Sequence, residues 1–186
     1  YFIEPQGIQV IDIQDPYNPV ILDEWDGVVQ SHNVMEADGY LYVIGSTDEF
    51  SQDGESESWG LDDLIILDLE NPSNPTKVGG WSGEYLHDVC IDGDLLYGCA
   101  IYVDEMYVFD ISDKSNPSLI STWPGVPKAH ACWVSEDSQT VFTGSETTGG
   151  HIMSWDVSDL SNVEFLDAWL PDGGENWSAH NVFVLD

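Results

Sequence analysis

Four of the five histidines stand in one recurring phrase: Ser31-His32-Asn33-Val34, Leu86-His87-Asp88-Val89, Ala129-His130-Ala131-Cys132 and Ala179-His180-Asn181-Val182. Neutral imidazole is a good ligand for Zn, Cu, Ni or Fe. A metal asks for three or more such donors at about 2.0–2.2 Å, so His32, His87, His130 and His180 form a candidate transition-metal set. Asn33, Asp88 and Asn181 follow three of them and are candidate ligand-binding groups, placed to hydrogen-bond an imidazole or a bound molecule. The same pattern has a structural reading. A repeated His can bond a neighbouring segment's backbone through one ring nitrogen while its ring packs on an aromatic.

A second cluster offers oxygen rather than nitrogen. The stretch from Ser46 to Asp63 crowds Asp48, Glu49, Asp53, Asp62 and Asp63 around a glycine turn. Hard oxygen ligands in that density suit Ca²⁺, although the spacing is not that of an EF-hand. The alternative is a solvated acidic loop. His151, in Thr147-Thr148-Gly149-Gly150-His151, lies outside the recurring phrase and reads as a surface residue. Cys90, Cys99 and Cys132 are odd in number, give no disulfide framework, and read as buried free thiols. The turn at Asp92-Gly93 is expected to set Cys90 opposite Leu95. There is no Gly-x-Ser-x-Gly elbow, no phosphate loop and no HExxH. Carboxylates are too many for one acid/base pair to stand out, so no catalytic residue is assigned.

Charge excludes whole classes of partner. The 186 residues hold 35 Asp+Glu against three Lys+Arg, for a formal net charge of −32. Such a surface repels phosphate backbones and anionic lipid, which argues against nucleic-acid or membrane-surface binding. It fits a protein kept soluble in salt, or one whose carboxylates attract divalent cations. Eight Trp and eight Tyr mark a globular chain rather than a disordered one. No stretch is long and apolar enough to span a membrane as a helix. The first residue, Tyr1, points to a mature product or a segment of a longer chain.

The elements that must position the histidines follow from a repeat. Val10–Trp25, Ile66–Trp81, Val108–Trp123 and Ser154–Trp169 align without a gap. In each, an Asp (Asp12, Asp68, Asp110, Asp156) precedes a Trp by 13 residues, and an Asn (Asn18, Asn74, Asn116, Asn162) follows that Asp by six. Successive units are offset by 56, 42 and 46 residues, whether counted by Asp or by Trp. Each unit contains four short apolar runs separated by Gly, Pro, Asn and Asp, the pattern of strands and turns. The recurring Asp reads as a cap on the Asx-Pro turn. The Trp reads as a buried aromatic packed between neighbouring units.

Four-stranded units of about 40–50 residues are the signature of β-propeller blades. The expectation is an all-β propeller of four-stranded antiparallel blades, at about 32–81, 87–123 and 130–169. A fourth blade is split between 180–186 and 1–25. The set is expected either to close as a four-bladed ring or to form a segment of a larger propeller. First strands are innermost in such a fold, so the four histidines should converge near one channel mouth.

The Ile11-Asp12-Ile13-Gln14-Asp15-Pro16 and Phe109-Asp110-Ile111-Ser112-Asp113 patterns resemble LVIVD-repeat proteins. The span from Ala129 to Val163, with Ala179-His180-Asn181-Val182, is similar to the choice-of-anchor B group of that repeat. The resemblance covers essentially the whole chain, and it implies an extracellular or cell-surface propeller without an assigned reaction. The reading is therefore a secreted or surface binding and scaffold module for an unknown protein or small molecule. The histidines are expected to frame a water or small-ligand site rather than to saturate one metal. The alternative is a metal-dependent enzyme, an oxidoreductase among the options, with its ion on the histidines.

Overall fold

A computed structural model describes residues 7–28, 31–46 and 63–184. It divides into two compact units, residues 1–83 and 84–186. The first holds a two-stranded hairpin, β1 (Ile8–Asp12) and β2 (Val20–Trp25), and a four-stranded sheet. That sheet runs in order through β3 (Asn33–Ala37), β4 (Tyr40–Ile44), β5 (Leu64–Asp68) and β6 (Thr76–Trp81). The second unit holds two four-stranded sheets. One comprises β7 (Asp88–Asp92), β8 (Leu95–Ala100), β9 (Glu105–Asp110) and β10 (Ser118–Pro124). The other comprises β11 (Ala129–Val134), β12 (Thr140–Ser145), β13 (Ile152–Asp156) and β14 (Glu164–Trp169). Every pairing is antiparallel between neighbours in sequence, which is the expected blade. The one helical turn among the described residues is a short 3-10 segment, Gly174–Asn176.

Local chemistry explains why each hairpin turns where it does. Between β3 and β4 the chain reverses over Asp38 (φ 52°) and Gly39 (φ 81°), the left-handed pair of a tight hairpin turn. Asp-Gly is a sequence suited to it. Between β7 and β8 the pairing is Asp92 with Leu95, which sets Cys90 opposite Tyr97 rather than Leu95. The expected register for Cys90 was two residues out. The turn comprises Gly93 and Asp94, so the strands separate one residue later than a turn at Asp92-Gly93 requires.

The third-to-fourth-strand corner is built identically in all four repeats. Asp12, Asp68, Asp110 and Asp156 accept a hydrogen bond from the backbone N–H two residues on, at 2.6–2.9 Å. Three residues later a second side chain, Asp15, Asn71, Asp113 or Asp159, does the same. The backbone carbonyl of that second residue then accepts from the N–H of Asn18, Asn74, Asn116 or Asn162. The recurring Asp is thus a cap, as expected, but of the strand's own end. The next Asx residue makes the turn. Beyond the corner each fourth strand carries an extra residue, Leu22, Val78, Ile120 or Leu166, where the pairing register slips by one. A bulge of this kind sharpens the local twist.

The tryptophans do not share one fate. Trp123 is 4% exposed and packs beside Trp155, ring centres 6.0 Å apart, inside a core that also contains Tyr97, Met106, Val141 and Val157. Trp25 and Trp81 are half-buried, and Trp169 is 58% exposed. The expectation of a buried Trp per repeat therefore fails at Trp169. In the first unit a smaller core joins Val28, Val43, Ile65 and Leu67 to Trp25 and Ile8.

The cysteine expectation is also corrected. Cys90 and Cys132 are bonded to each other, Cα atoms 5.7 Å apart, and only Cys99 is a free buried thiol. An odd count leaves one cysteine over. It does not forbid a pair between the first strands of successive blades.

Candidate metal centre

His87, His130 and His180 come together in the second unit around a residue absent from the sequence-based set, Glu146. His87 sits just ahead of β7, where its backbone N–H donates to the Cys99 carbonyl at 2.8 Å. His130 is the second residue of β11. Glu146 follows β12 directly, its N–H bonded to the Lys128 carbonyl at 2.9 Å. His180 lies in an extended segment laid across Gly144. A Cβ at that position would collide with the carbonyl oxygens of Ala179 and His180. Glycine is required there because another backbone approaches too closely for any side chain.

The carboxylate of Glu146 is ringed by imidazole nitrogens. Its oxygens lie 3.8 Å from His87 Nε2, 4.0 Å from His130 Nε2 and 3.5 Å from His180 Nε2. The His87 and His130 ring centres are 4.4 Å apart, and those of His130 and His180 are 3.6 Å apart. One donor atom each from His130, Glu146 and His180 falls within 4.8 Å of the other two. Tetrahedral ligands at about 2.0–2.1 Å from Zn²⁺ stand about 3.3–3.5 Å apart, so the three close on an ion with inward shifts of about 1 Å or less. His87 and His130 form a buried floor, whereas the side chains of Glu146 and His180 are 41% and 55% exposed. The cluster is open to solvent on one side.

Two neighbours define its walls. Asn181 Oδ1 lies 2.5 Å from His180 Nδ1, and in the tautomer with its proton on Nδ1 this bond leaves Nε2 facing Glu146. This is the supporting bond a ligating imidazole needs. Tyr85 packs edge-on to His87 at 6.2 Å and against Tyr102 at 5.0 Å. Asp88, by contrast, is buried and accepts from the Val89 N–H at 2.8 Å. Its other effect is on Cys99. Burial first, then the Asp88 carboxylate, pushes that thiol well above its ordinary range and leaves it a poor nucleophile.

His32, in the first unit, is exposed and donates its backbone N–H to the Ile44 carbonyl at 2.9 Å. Asn33 Oδ1 accepts from the Val34 N–H at 2.8 Å. Asp48, Glu49, Asp53 and Asp62 fall outside the described residues. Asp63 is buried, and its carboxylate accepts from the Gly83 N–H at 2.9 Å, tying the start of β5 to the corner after β6. His151 is half-buried. Glu146 had a readable signal: it stands just past the second strand, across the hairpin from the histidine that opens the first.

No curated protein matches the chain in sequence. Several solved structures match its fold at low identity. A periplasmic gluconolactonase from Pseudomonas aeruginosa has a TM-score of 0.62 and 14% identity, covering 87% of this chain and 49% of its own. A protein of unknown function from Desulfotomaculum acetoxidans gives 0.53 and 12%, covering 89% and 63%. A candidate 6-phosphogluconolactonase from Bacteroides uniformis gives 0.56 and 12%, covering 74% and 40%. The chain thus spans less than two thirds of each. No described helix is long and apolar enough to cross a membrane. With residues 60–81 and 83–123 matching the LVIVD repeat, the chain is an all-β protein of propeller blades that carries LVIVD repeats.

Proposed function

We propose that this chain is a binding module of an extracellular or surface-attached propeller, and that its ligand is a Zn-class divalent ion. His130, His180 and Glu146 hold the ion, and His87 stands beside them. The observation that carries the reading is the placing of three imidazole nitrogens within 3.5–4.0 Å of one carboxylate. Imidazole and carboxylate together suit Zn²⁺ and its first-row neighbours better than Ca²⁺, which takes oxygen alone. Three supports bear on the compartment. A bridge between Cys90 and Cys132 belongs to an oxidising one. The likeness to a periplasmic gluconolactonase and the resemblance to choice-of-anchor B proteins point the same way.

The test is metal uptake by protein stripped with chelator and kept in about 0.5 M NaCl, which screens diffuse attraction to the acidic surface. One Co²⁺ per chain, with visible ligand-field bands, is expected for the native protein. Glu146→Gln and His180→Ala should each weaken uptake by tenfold or more, in line with the loss of one ligand. Absence of a stoichiometric ion, or uptake unchanged in both variants, overturns the reading.

A metal-dependent enzyme is the second reading, favoured by the ligand count. Three protein donors with an open side is the arrangement of catalytic rather than structural zinc. Lactones are the first substrates to try, because two of the structural neighbours bear lactonase names. Hydrolysis of glucono-δ-lactone that requires the ion and falls in Glu146→Gln would support it. Equal rates with and without metal would remove it.

A further inference from the structure

The last repeat departs from the other three at one corner. The earlier repeats continue past their final tryptophan as Trp25-Asp26-Gly27, Trp81-Ser82-Gly83 and Trp123-Pro124-Gly125. The indoles of Trp25 and Trp81 fold back over Gly27 and Gly83, where any Cβ would run into the ring. The last repeat reads Trp169-Leu170-Pro171 instead. A proline has no room for an indole laid on its Cα, and Trp169 stays exposed.

A cavity of about 390 Å³ opens where that packing is missing, lined by Trp169, Leu170, Pro171, Asp172 and Trp177 among others. Trp177 is 73% exposed, yet its backbone is anchored: its carbonyl accepts from the Gly149 N–H at 2.8 Å. The next residue is anchored too, with Ser178 Oγ donating to the Ser145 carbonyl at 3.1 Å. The indoles are therefore displayed on a fixed frame rather than on a loose tail.

The lining selects its ligand by what it holds and what it lacks. Among the described residues Asp172 is its only ionisable side chain, and none of the three lysines contributes to it. The serine hydroxyl is already committed to a backbone carbonyl. A sugar would find few side-chain donors and acceptors here, and an anion would meet Asp172 and a chain of net charge −32. A cation with an apolar shell needs only π faces and a counter-charge. We propose that this cavity binds an organic ammonium ion, tertiary or quaternary, against Trp169 and Trp177 with Asp172 as its counter-ion. This site is separate from the Glu146 cluster and does not depend on it.

The test compares choline with 3,3-dimethyl-1-butanol, the same shape without the charge. Binding is read by tryptophan fluorescence and calorimetry in about 0.5 M NaCl, where surface attraction is screened. Choline should bind saturably and at least about tenfold tighter than the neutral alcohol. Trp177→Ala should weaken choline by about 2- to 30-fold, the range for one cation–π contact, and Trp177→Phe should recover part of that. Asp172→Asn should weaken choline but not the alcohol. Melting curves confirm that the variants fold. Three outcomes overturn the proposal: no saturable response to choline, equal or tighter binding of the alcohol, or choline binding unchanged in folded Trp177→Ala.

Discussion

Cys90 on β7 and Cys132 on β11 are covalently joined, and they lie three and two residues beyond His87 and His130. The bridge pins those strands together close to the buried floor of the histidine cluster. It closes a loop of 42 residues, which the chain-entropy model values at about 3–4 kcal/mol. The double variant Cys90→Ser/Cys132→Ser should unfold at a markedly lower temperature. It should also hold Co²⁺ less tightly at temperatures where it remains folded. A native-like melting curve would mean the bridge adds nothing to the fold.

Gly144 tests whether the segment carrying His180 is positioned by close backbone contact. Gly144→Ala keeps every ligand residue in the chain yet forces Ala179 and His180 off β12. Metal uptake should fall as it does in His180→Ala, while the circular dichroism of the sheets stays native. Retention of full uptake would show that His180 finds the cluster without this contact.

The tandem Asx corners predict an acid-side dependence. Hydrogen bonds hold Asp110, Asp113, Asp156 and Asp159 below the usual carboxylate range, from the serine hydroxyl two residues on first and its N–H second. Folding therefore favours their charged forms. The contribution is complete above the unfolded value near 3.9 and is lost as pH falls through the lower folded value. Asp156→Ala should melt below the native protein at pH 6, and the gap should close below about pH 4. Asp156→Asn keeps a neutral acceptor, so its gap should be smaller at pH 6 and should narrow by the same amount in acid. A gap for Asp156→Ala that survives in acid would assign its effect to something other than the charged acceptor.

Salt should stabilise the fold. With three lysines against 35 acidic groups, self-repulsion is weakly screened at low ionic strength. The melting temperature should rise between about 10 mM and about 1 M NaCl, as the screening length falls from about 30 Å to about 3 Å. A flat profile would show that the carboxylates are already neutralised locally.

Much of the blade was legible because its signals are local. Asp12, Asp68, Asp110 and Asp156 act within two residues of themselves, so spacing alone revealed them. The bulges at Leu22, Val78, Ile120 and Leu166 are the structural content of the invariant Asp-to-Trp distance. What escaped depends on which strands become neighbours. Glu146 is one of 35 acidic residues, and its one mark is its place just past the second strand, across the hairpin from the histidine. Cys90 and Cys132 meet only because two first strands lie side by side. Trp169 looked like its three counterparts, and only the proline two residues on separates it from them.

The Asx corner has a consequence for how such a chain could grow. Each corner makes its turn with its own side chains, and at the last one the Leu160 carbonyl also accepts from Ser121 Oγ of the blade before it. Copying the unit carries its punctuation along, and added length is shunted to the opposite end. The 56-residue first offset takes up its surplus between Ser46 and Asp63. Histidines, the carboxylate and the open indoles all come from segments outside the corners. A duplicating gene can therefore rewrite its chemistry while leaving the hinges of its hairpins untouched.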